Sequence, residues 1–149
     1  MVFLAASLVI LYAFAFWMPK RMTGFELHYT SLFALVLELI TDIWLNLQLD
    51  LYRYFGQGIE NKGYLVILLF PVSNMIYLNF YPYGKAIRYH VLYIGAATAA
   101  SLVYEWLAIQ SGFFSYHGWK LWYSAVCYPV ILVILAAHFA HTRRIRKAS

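Results

Sequence analysis

The chain has 149 residues, of which 64% are hydrophobic and 11% charged, and a net charge of +5. Soluble domains contain about 45–50% apolar and about 25% charged residues, so a water-soluble fold of this size could not bury this much apolar surface. The composition therefore excludes the soluble globular class. It predicts one all-α domain over residues 1–149, a polytopic bundle of transmembrane helices.

Five apolar segments come close to the roughly 20 residues that a membrane-spanning helix needs. In chain order they are residues 2–18, 29–49, 64–81, 89–109 and 121–140. Helix-breaking residues separate them, namely Pro19, then Gly56, Gly58 and Gly63, then Pro82 and Gly84, and finally Gly112 and Gly118. Because the connections are short, we expect consecutive helices to be antiparallel neighbours.

The first segment has the apolar length of a signal peptide but not its charge pattern. A signal peptide begins with a basic region before its apolar core, whereas here Lys20 and Arg21 follow the core and nothing basic precedes it. The pattern predicts a retained helix whose N-terminus lies outside.

The positions of Lys and Arg predict the orientation. If the N-terminus is outside and all five segments cross, eight of the eleven basic residues lie on the inner side, as the positive-inside rule requires. These eight are Lys20, Arg21, Lys85, Arg88, Arg143, Arg144, Arg146 and Lys147, and the outer three are Arg53, Lys62 and Lys120. Basic residues clustered at segment ends indicate a lipid bilayer as partner and argue against nucleic acid.

An acidic stripe runs along the second segment. Glu38, Asp42 and Asn46 recur every four residues, which places them on one face of a helix. Asp50 and Arg53 follow with i,i+3 spacing and are expected to form an ion pair at the outer boundary. Acids within a spanning helix usually face the bundle interior, a partner or a water-filled cavity.

The fourth segment carries a matching polar face. Thr98, Ser101 and Glu105 share that face, with Tyr104 beside it. The second and fourth helices should run in the same direction, so Asp42 and Glu105 should lie at similar depth in the outer half. The third segment offers Ser73, Asn74 and Asn79, and the fifth offers Ser124, Cys127 and Tyr128.

These residues together predict an acidic pocket that opens toward the outer face. The candidate ligand- or cation-binding residues are Glu38, Asp42, Asn46, Ser101, Tyr104, Glu105 and Tyr128. A structural interpretation stays open for several polar groups. Asn46, Asn74 and Ser101 suit hydrogen bonds between helices, and Lys120 could reach Glu105. Glu38 and Asp42 are harder to explain structurally because no basic residue lies at their depth.

The remaining chemistry-bearing residues form no recognisable site. His28, His90, His138 and His141 map to the inner helix ends, where imidazoles without a ligand are commoner than metal or haem ligands. No phosphate-binding loop, nucleophile elbow or zinc motif is present in the sequence, and the single Cys127 suits packing. We therefore predict no catalytic residues, no metal and no cofactor.

Four sequence blocks resemble an uncharacterised family of small multi-pass membrane proteins. They are "DLYRYFGQGIE" (50–60), "LNFYP" (78–82), "YEW" (104–106) and "GFFSYHGWKLWYSAVCYP" (112–129), and the resemblance covers roughly residues 38–135. The family occurs in Bacillus-, Paenibacillus- and Clostridium-type bacteria. The resemblance implies a bacterial plasma-membrane location and no particular activity.

The function expected from the residues is a small transporter or binder of a cation, a proton-coupled solute or a cationic amphiphile. Glu38 and Asp42 would carry the charge, with Glu105 opposite them. One alternative is a structural or assembly subunit, as a homo-oligomer or with another membrane protein. The other is a membrane enzyme that uses paired carboxylates as acid and base on a lipid or isoprenoid.

Overall fold

The computed structural model describes residues 2–54 and 63–148, without the side chains of residues 46, 47, 54, 63–65, 147 and 148. Its elements, in chain order, are α1 (Val2–Trp17), α2 (Gly24–Asp42), β1 (Tyr52–Tyr54), α3 (Leu69–Phe80), α4 (Ile87–Gln110), β2 (Phe114–Tyr116) and α5 (Leu121–Ala148). A π-helical segment (Ile43–Gln48) continues α2, and a 3₁₀ segment (Gly63–Leu68) leads into α3.

Three of the helical stretches are long and apolar enough to cross a membrane. They are Gly24–Leu45, Ile87–Gln110 and Leu121–Arg146. The first helix, with 16 residues, is about 24 Å long at about 1.5 Å per residue, which is shorter than a hydrocarbon core of about 30 Å. The helix before Pro82, Val66–Phe80, is also below the spanning length.

Each helix runs antiparallel to the one before it, as the short connections predict, but α1 packs mainly on α3 and not on its neighbour in sequence, α2. At one end, hereafter the acidic end, α2 and α4 finish and α1 and α5 begin. There Phe3 packs on Phe113, and Ser124 bonds Glu105. At the opposite end, hereafter the basic end, α1 and α3 finish beside the start of α2, since Asn79 bonds the carbonyl of Pro19.

The two ends differ in charge. Seven described basic side chains belong to the basic end: Lys20, Arg21, Lys85, Arg88, Arg143, Arg144 and Arg146. Two described basic side chains, Arg53 and Lys120, lie at the acidic end. Lys62 and the side chain of Lys147 are outside the described part of the chain. The helix directions thus preserve the charge asymmetry that the sequence predicts.

The interior consists of three apolar clusters. The largest joins α2, α3 and α5 around Phe139, which is fully buried, and includes Ala34, Tyr77, Leu78, Leu135 and Ala136. A second cluster at the acidic end contains Leu4, Val66, Leu69, Ala108 and Phe113. A third joins α1 to α3 through Ala15, Met18 and Val72. α3 is therefore the central element, although it is the shortest α-helix described.

The start of α2 corrects the prediction. The helix begins at Gly24, five residues before the predicted boundary, because Thr23 and Glu26 form a reciprocal capping box. Glu26, which precedes the predicted second segment, is buried in the first helical turn, and its carboxylate pairs with Arg143 at 3.0 Å. The spacing Thr-x-x-Glu is the sequence signature of such a capping box.

Candidate functional site

Glu105 is the centre of a hydrogen-bond network at the acidic end. One carboxylate oxygen, Oε1, accepts hydrogen bonds from the hydroxyls of Tyr116 and of Ser124, the latter at 2.7 Å. The other oxygen, Oε2, accepts one from the Tyr128 hydroxyl at 2.6 Å. Three hydroxyl donors surround a side chain that is only 6% exposed, so both carboxyl oxygens are hydrogen-bonded inside the apolar bundle.

The network extends to the loop that precedes α5. The indole nitrogen of Trp119 donates to the Ser124 hydroxyl at 2.8 Å, so Ser124 accepts one hydrogen bond while it donates another to Glu105. Burial and the hydrogen bond to Glu105 raise the pKa of Tyr116 above its usual range. Tyr116 therefore stays a neutral phenol at ordinary pH and remains a donor. The network joins α4, β2 and α5 through one carboxylate.

Asp42 has its own tyrosine donor. The hydroxyl of Tyr52 in β1 donates to the Oδ1 atom of Asp42 at 2.6 Å. Burial and the nearby charge of Asp42 raise the pKa of Tyr52 well above its usual range, so this phenol also stays protonated. The charges of Glu38 and Tyr128 act on Tyr52 in the same direction. Tyr52 therefore lies within electrostatic reach of both acids of the α2 stripe.

A short antiparallel ribbon holds the two tyrosines together. β1 pairs with β2, and the partner of Tyr52 across the strands is Tyr116. Side chains at directly opposed positions project from the same face of a sheet. One strand pair thus supplies a hydroxyl to Asp42 and a hydroxyl to Glu105, and the ribbon couples the acidic stripe of α2 to the polar face of α4.

The backbone next to the ribbon fixes its position. The carbonyl oxygen of Leu51 accepts N–H groups from His117, Gly118 and Trp119, at 2.9–3.0 Å. Gly112, with φ +71°, turns the chain from the end of α4 toward β2, a left-handed conformation that favours glycine. These local features explain why the loop returns over the end of the bundle and brings Tyr116 to Glu105.

Glu38 occupies a different environment. It lies one turn before Asp42 and is partly buried, and the charges of the two carboxylates interact. It also interacts electrostatically with the hydroxyl of Tyr128. Among the described residues, Glu38 accepts no hydrogen bond and pairs with no Lys or Arg. Glu38 and Asp42 thus form an acidic pair next to a cluster of phenols.

The structure brings together some of the predicted residues. Glu105 and Tyr128 are in direct contact, and Asp42 joins them through the ribbon. Ser101 is partly buried one turn before Glu105 on the same face of α4. Tyr104 points elsewhere, because its ring packs on Phe3 of α1 with centroids 5.4 Å apart. The side chain of Asn46 lies outside the described part of the chain.

The structural interpretations have mixed outcomes. The ion pair of Asp50 with Arg53 is confirmed, as two parallel hydrogen bonds of 2.7 Å, and Arg53 lowers the pKa of Asp50. The interhelical role of Asn74 is also confirmed, since its amide donates to the carbonyl of Thr30 at 3.1 Å. The predicted partner of Glu105, Lys120, is replaced by three hydroxyl donors, those of Tyr116, Ser124 and Tyr128. Ser124 in turn accepts a hydrogen bond from Trp119.

The polar residues of α3 do not join the acids. Asn79, predicted as a polar contribution to the pocket, lies at the basic end, where its side chain bridges Pro19 and Arg21. Ser73 is exposed and Asn74 serves the α2–α3 contact. Neither the spacing along α3 nor residue type could distinguish these roles, because all three residues are polar within one apolar segment.

Sequence reasoning missed the two tyrosines of the ribbon. Their residue type and their position at the end of an apolar segment predict only aromatic anchors at the outer membrane boundary. Their aromatic-rich segments alternate in the manner of strands, "LYRY" and "FFSYH", and that alternation is the signal that could have indicated a ribbon. Which carboxylate each hydroxyl would reach is not encoded in the spacing.

The described residues contain no group of three His, Cys, Asp or Glu side chains that could hold a metal ion. Two histidines of the basic end, His90 and His138, have separate surroundings. His90 contacts the carbonyl of Lys85 at 3.1 Å, and His138 stacks on Phe33 with ring centroids 3.8 Å apart.

Comparison with protein-family models, with curated proteins and with solved structures found no match for this chain. The functional argument therefore rests on the geometry of the acidic end.

Proposed function

We propose that this protein is a small transporter or binder of a cation in a bacterial plasma membrane, with five spans, an outer N-terminus and a cytoplasmic C-terminus. In this arrangement the acidic end faces outward and the basic end faces the cytoplasm, in accordance with the positive-inside rule. α1 and α3 cross with the help of their flanking residues, because a short helix can be accommodated by local thinning of the bilayer.

The observation that carries the proposal is the pair formed by Glu38 and Asp42. The two carboxylates are one helical turn apart, and Glu38 has neither a hydrogen-bond donor nor a basic partner among the described residues. Two such groups within a membrane repel each other, and a bound proton or cation removes that repulsion. The proposed ligand class is therefore a proton-coupled or cationic solute.

The tyrosines define what kind of cation fits. Tyr52 and Tyr128 lie within electrostatic reach of Glu38, and each contributes an aromatic ring to its surroundings. Aromatic faces attract organic cations as well as simple ions. An organic cation with apolar substituents would benefit from both the acids and the rings, which makes a cationic amphiphile the first ligand to test.

The test is binding of tetraphenylphosphonium to the purified protein, measured by calorimetry, with proton release followed by a pH-sensitive dye. We expect Glu38→Gln to weaken binding at least about tenfold and to abolish proton release, because one charge of the acidic pair is lost. Asp50→Asn is the matched control, because Asp50 is an exposed acid at the same end and pairs with Arg53.

Equal binding by the wild-type protein and Glu38→Gln would contradict the proposal, as would absence of binding in both. The second candidate is an assembly subunit, in which a partner chain would supply the donor that Glu38 lacks among the described residues. In that case Glu38→Gln would lower the melting temperature or the yield of an isolated complex, with no ligand bound by either form.

A further inference from the structure

A groove at the basic end is separate from the acidic cluster. It has a cavity volume of about 260 Å³ between the start of α2 and the end of α5. We name it the basic-end groove, and its lining residues are Phe25, Tyr29, His138, His141, Thr142 and Ile145.

Helical periodicity explains the two walls of the groove. His138, His141, Thr142 and Ile145 are spaced i, i+3, i+4 and i+7 along α5, which places them on one face. On α2, Phe25 and Tyr29 are one turn apart, and their ring centroids are separated by 4.5 Å. The apolar members of both walls are accessible, since Tyr29 and Ile145 are each 52% exposed.

His138 contributes a polar atom without a protein partner. Its ring is held by stacking on Phe33, at an interplanar angle of 4°. The Thr142 hydroxyl donates to the backbone carbonyl of His138 at 3.0 Å and is thereby satisfied. The Nδ1 atom of His138 is buried and has no hydrogen-bond partner among the described residues. His138 thus contributes its ring to the wall of the groove, while the Nδ1 atom itself is buried beneath that wall.

The charges around the groove are predominantly positive. Glu26 pairs with Arg143 at 3.0 Å and with Arg146 at 3.3 Å, so one carboxylate faces two guanidinium groups. Arg144, which is exposed and precedes Ile145 of the groove wall in the chain, adds one more positive charge to this balance. This surplus of positive charge attracts an anion, whereas it gives no electrostatic attraction to an uncharged or cationic ligand.

We propose that the basic-end groove binds an anionic phospholipid. The phosphate would lie near His141 and Arg144, and the upper part of an acyl chain would lie against Tyr29 and Ile145. Charge complementarity selects the headgroup, and the exposed apolar walls select a ligand with a hydrocarbon chain. Basic pockets between transmembrane helices recognise acidic lipid headgroups by the same combination.

The experiment measures retained lipid by native mass spectrometry of the purified full-length chain. Phosphatidylglycerol is compared with phosphatidylcholine that has identical acyl chains. We expect the wild-type protein to retain phosphatidylglycerol at concentrations about tenfold lower. The double substitution His141→Ala with Arg144→Gln should remove that preference, since both side chains are exposed and neither supports the core.

The matched control is His117→Ala with Arg88→Gln. His117 is exposed at the acidic end, and Arg88 is exposed at the basic end on α4, outside the groove. Retention of the preference in this control supports a localised site. Three results would overturn the proposal: equal retention of the two lipids by the wild-type protein, equal loss in both double variants, or displacement of the lipid by millimolar glycerol phosphate.

Discussion

Glu105 illustrates how a buried carboxyl group is accommodated in an apolar bundle. Its two oxygens accept three hydroxyl donors from β2 and α5, whereas Glu38 accepts none from the described residues. Hydrogen bonds to a charged group are stronger than those between neutral groups. Glu105 therefore has a structural explanation within the chain, whereas Glu38 has no donor among the described residues.

At this scale, Tyr128→Phe is expected to destabilise the protein. The change removes the hydroxyl that donates to Oε2 of Glu105 and leaves that oxygen buried without its donor. The expected loss in free energy of unfolding is about 1.5–3 kcal/mol, the usual range for a hydrogen bond to a charged group. Denaturation in detergent micelles, followed by circular dichroism, measures it.

Tyr123→Phe is the control for this prediction. Tyr123 lies on the same helix and packs on Trp119 and Trp122, and its hydroxyl makes no hydrogen bond among the described residues. If the two variants unfolded at the same denaturant concentration, the hydroxyl of Tyr128 would have no stabilising role and the network would need another interpretation.

At the scale of elements, the basic end depends on one side chain of α3. The amide nitrogen of Asn79 donates to the Pro19 carbonyl at 2.9 Å, and its oxygen accepts the backbone N–H of Arg21 at 2.8 Å. This side chain is only 3% exposed. It therefore ties the α1–α2 connection to the end of α3 and satisfies two backbone groups that the turn leaves unpaired.

Asn79→Ala should consequently be among the most destabilising substitutions at the basic end. It leaves one carbonyl and one N–H without their partners, at a cost of about 2–4 kcal/mol. The thermal melting midpoint of the purified protein measures the effect. The control is Ser73→Ala, at an exposed position on α3, whose free energy of unfolding should stay within about 0.5 kcal/mol of the wild type. If Ser73→Ala lost as much stability as Asn79→Ala, the effect would reflect a general intolerance of α3 to alanine and not the two hydrogen bonds.

At the scale of the whole molecule, the charge asymmetry and the alternating helices define two chemically different ends. Seven described basic side chains lie at one end and two at the other, while the acids Asp42 and Glu105 lie near the second. The positive-inside rule places the more basic end of such a protein on the cytoplasmic side of the bilayer. The charge asymmetry alone therefore predicts the orientation.

This orientation can be measured with reporters fused to the C-terminus. With the C-terminus in the cytoplasm, a green fluorescent protein fusion should fluoresce and an alkaline phosphatase fusion should be inactive. Fusions after Gln110, at the acidic end, should show the reverse. An active phosphatase at the C-terminus would refute the proposed orientation. It would also mean that the basic-end groove does not face the cytoplasmic leaflet.

The sequence by itself determined the class of protein, the approximate helices and the face of α2 that carries Glu38 and Asp42. These properties follow from composition and from helical periodicity, which act within a single segment. The largest boundary differences are at the start of α2, where the capping box of Thr23 and Glu26 starts the helix five residues early, and at the end of α5, which continues eight residues past the predicted apolar segment to Ala148.

Only the tertiary structure decided which acid has partners. The donors of Glu105 are 11, 19 and 23 residues away in the chain, and the tyrosines of the ribbon meet because β1 pairs with β2 across the whole of α3 and α4. Such contacts depend on how loops return over the bundle and on which helices pack together. Helical periodicity determines on which face of a helix a side chain lies, whereas the packing of distant segments determines which residues that side chain contacts.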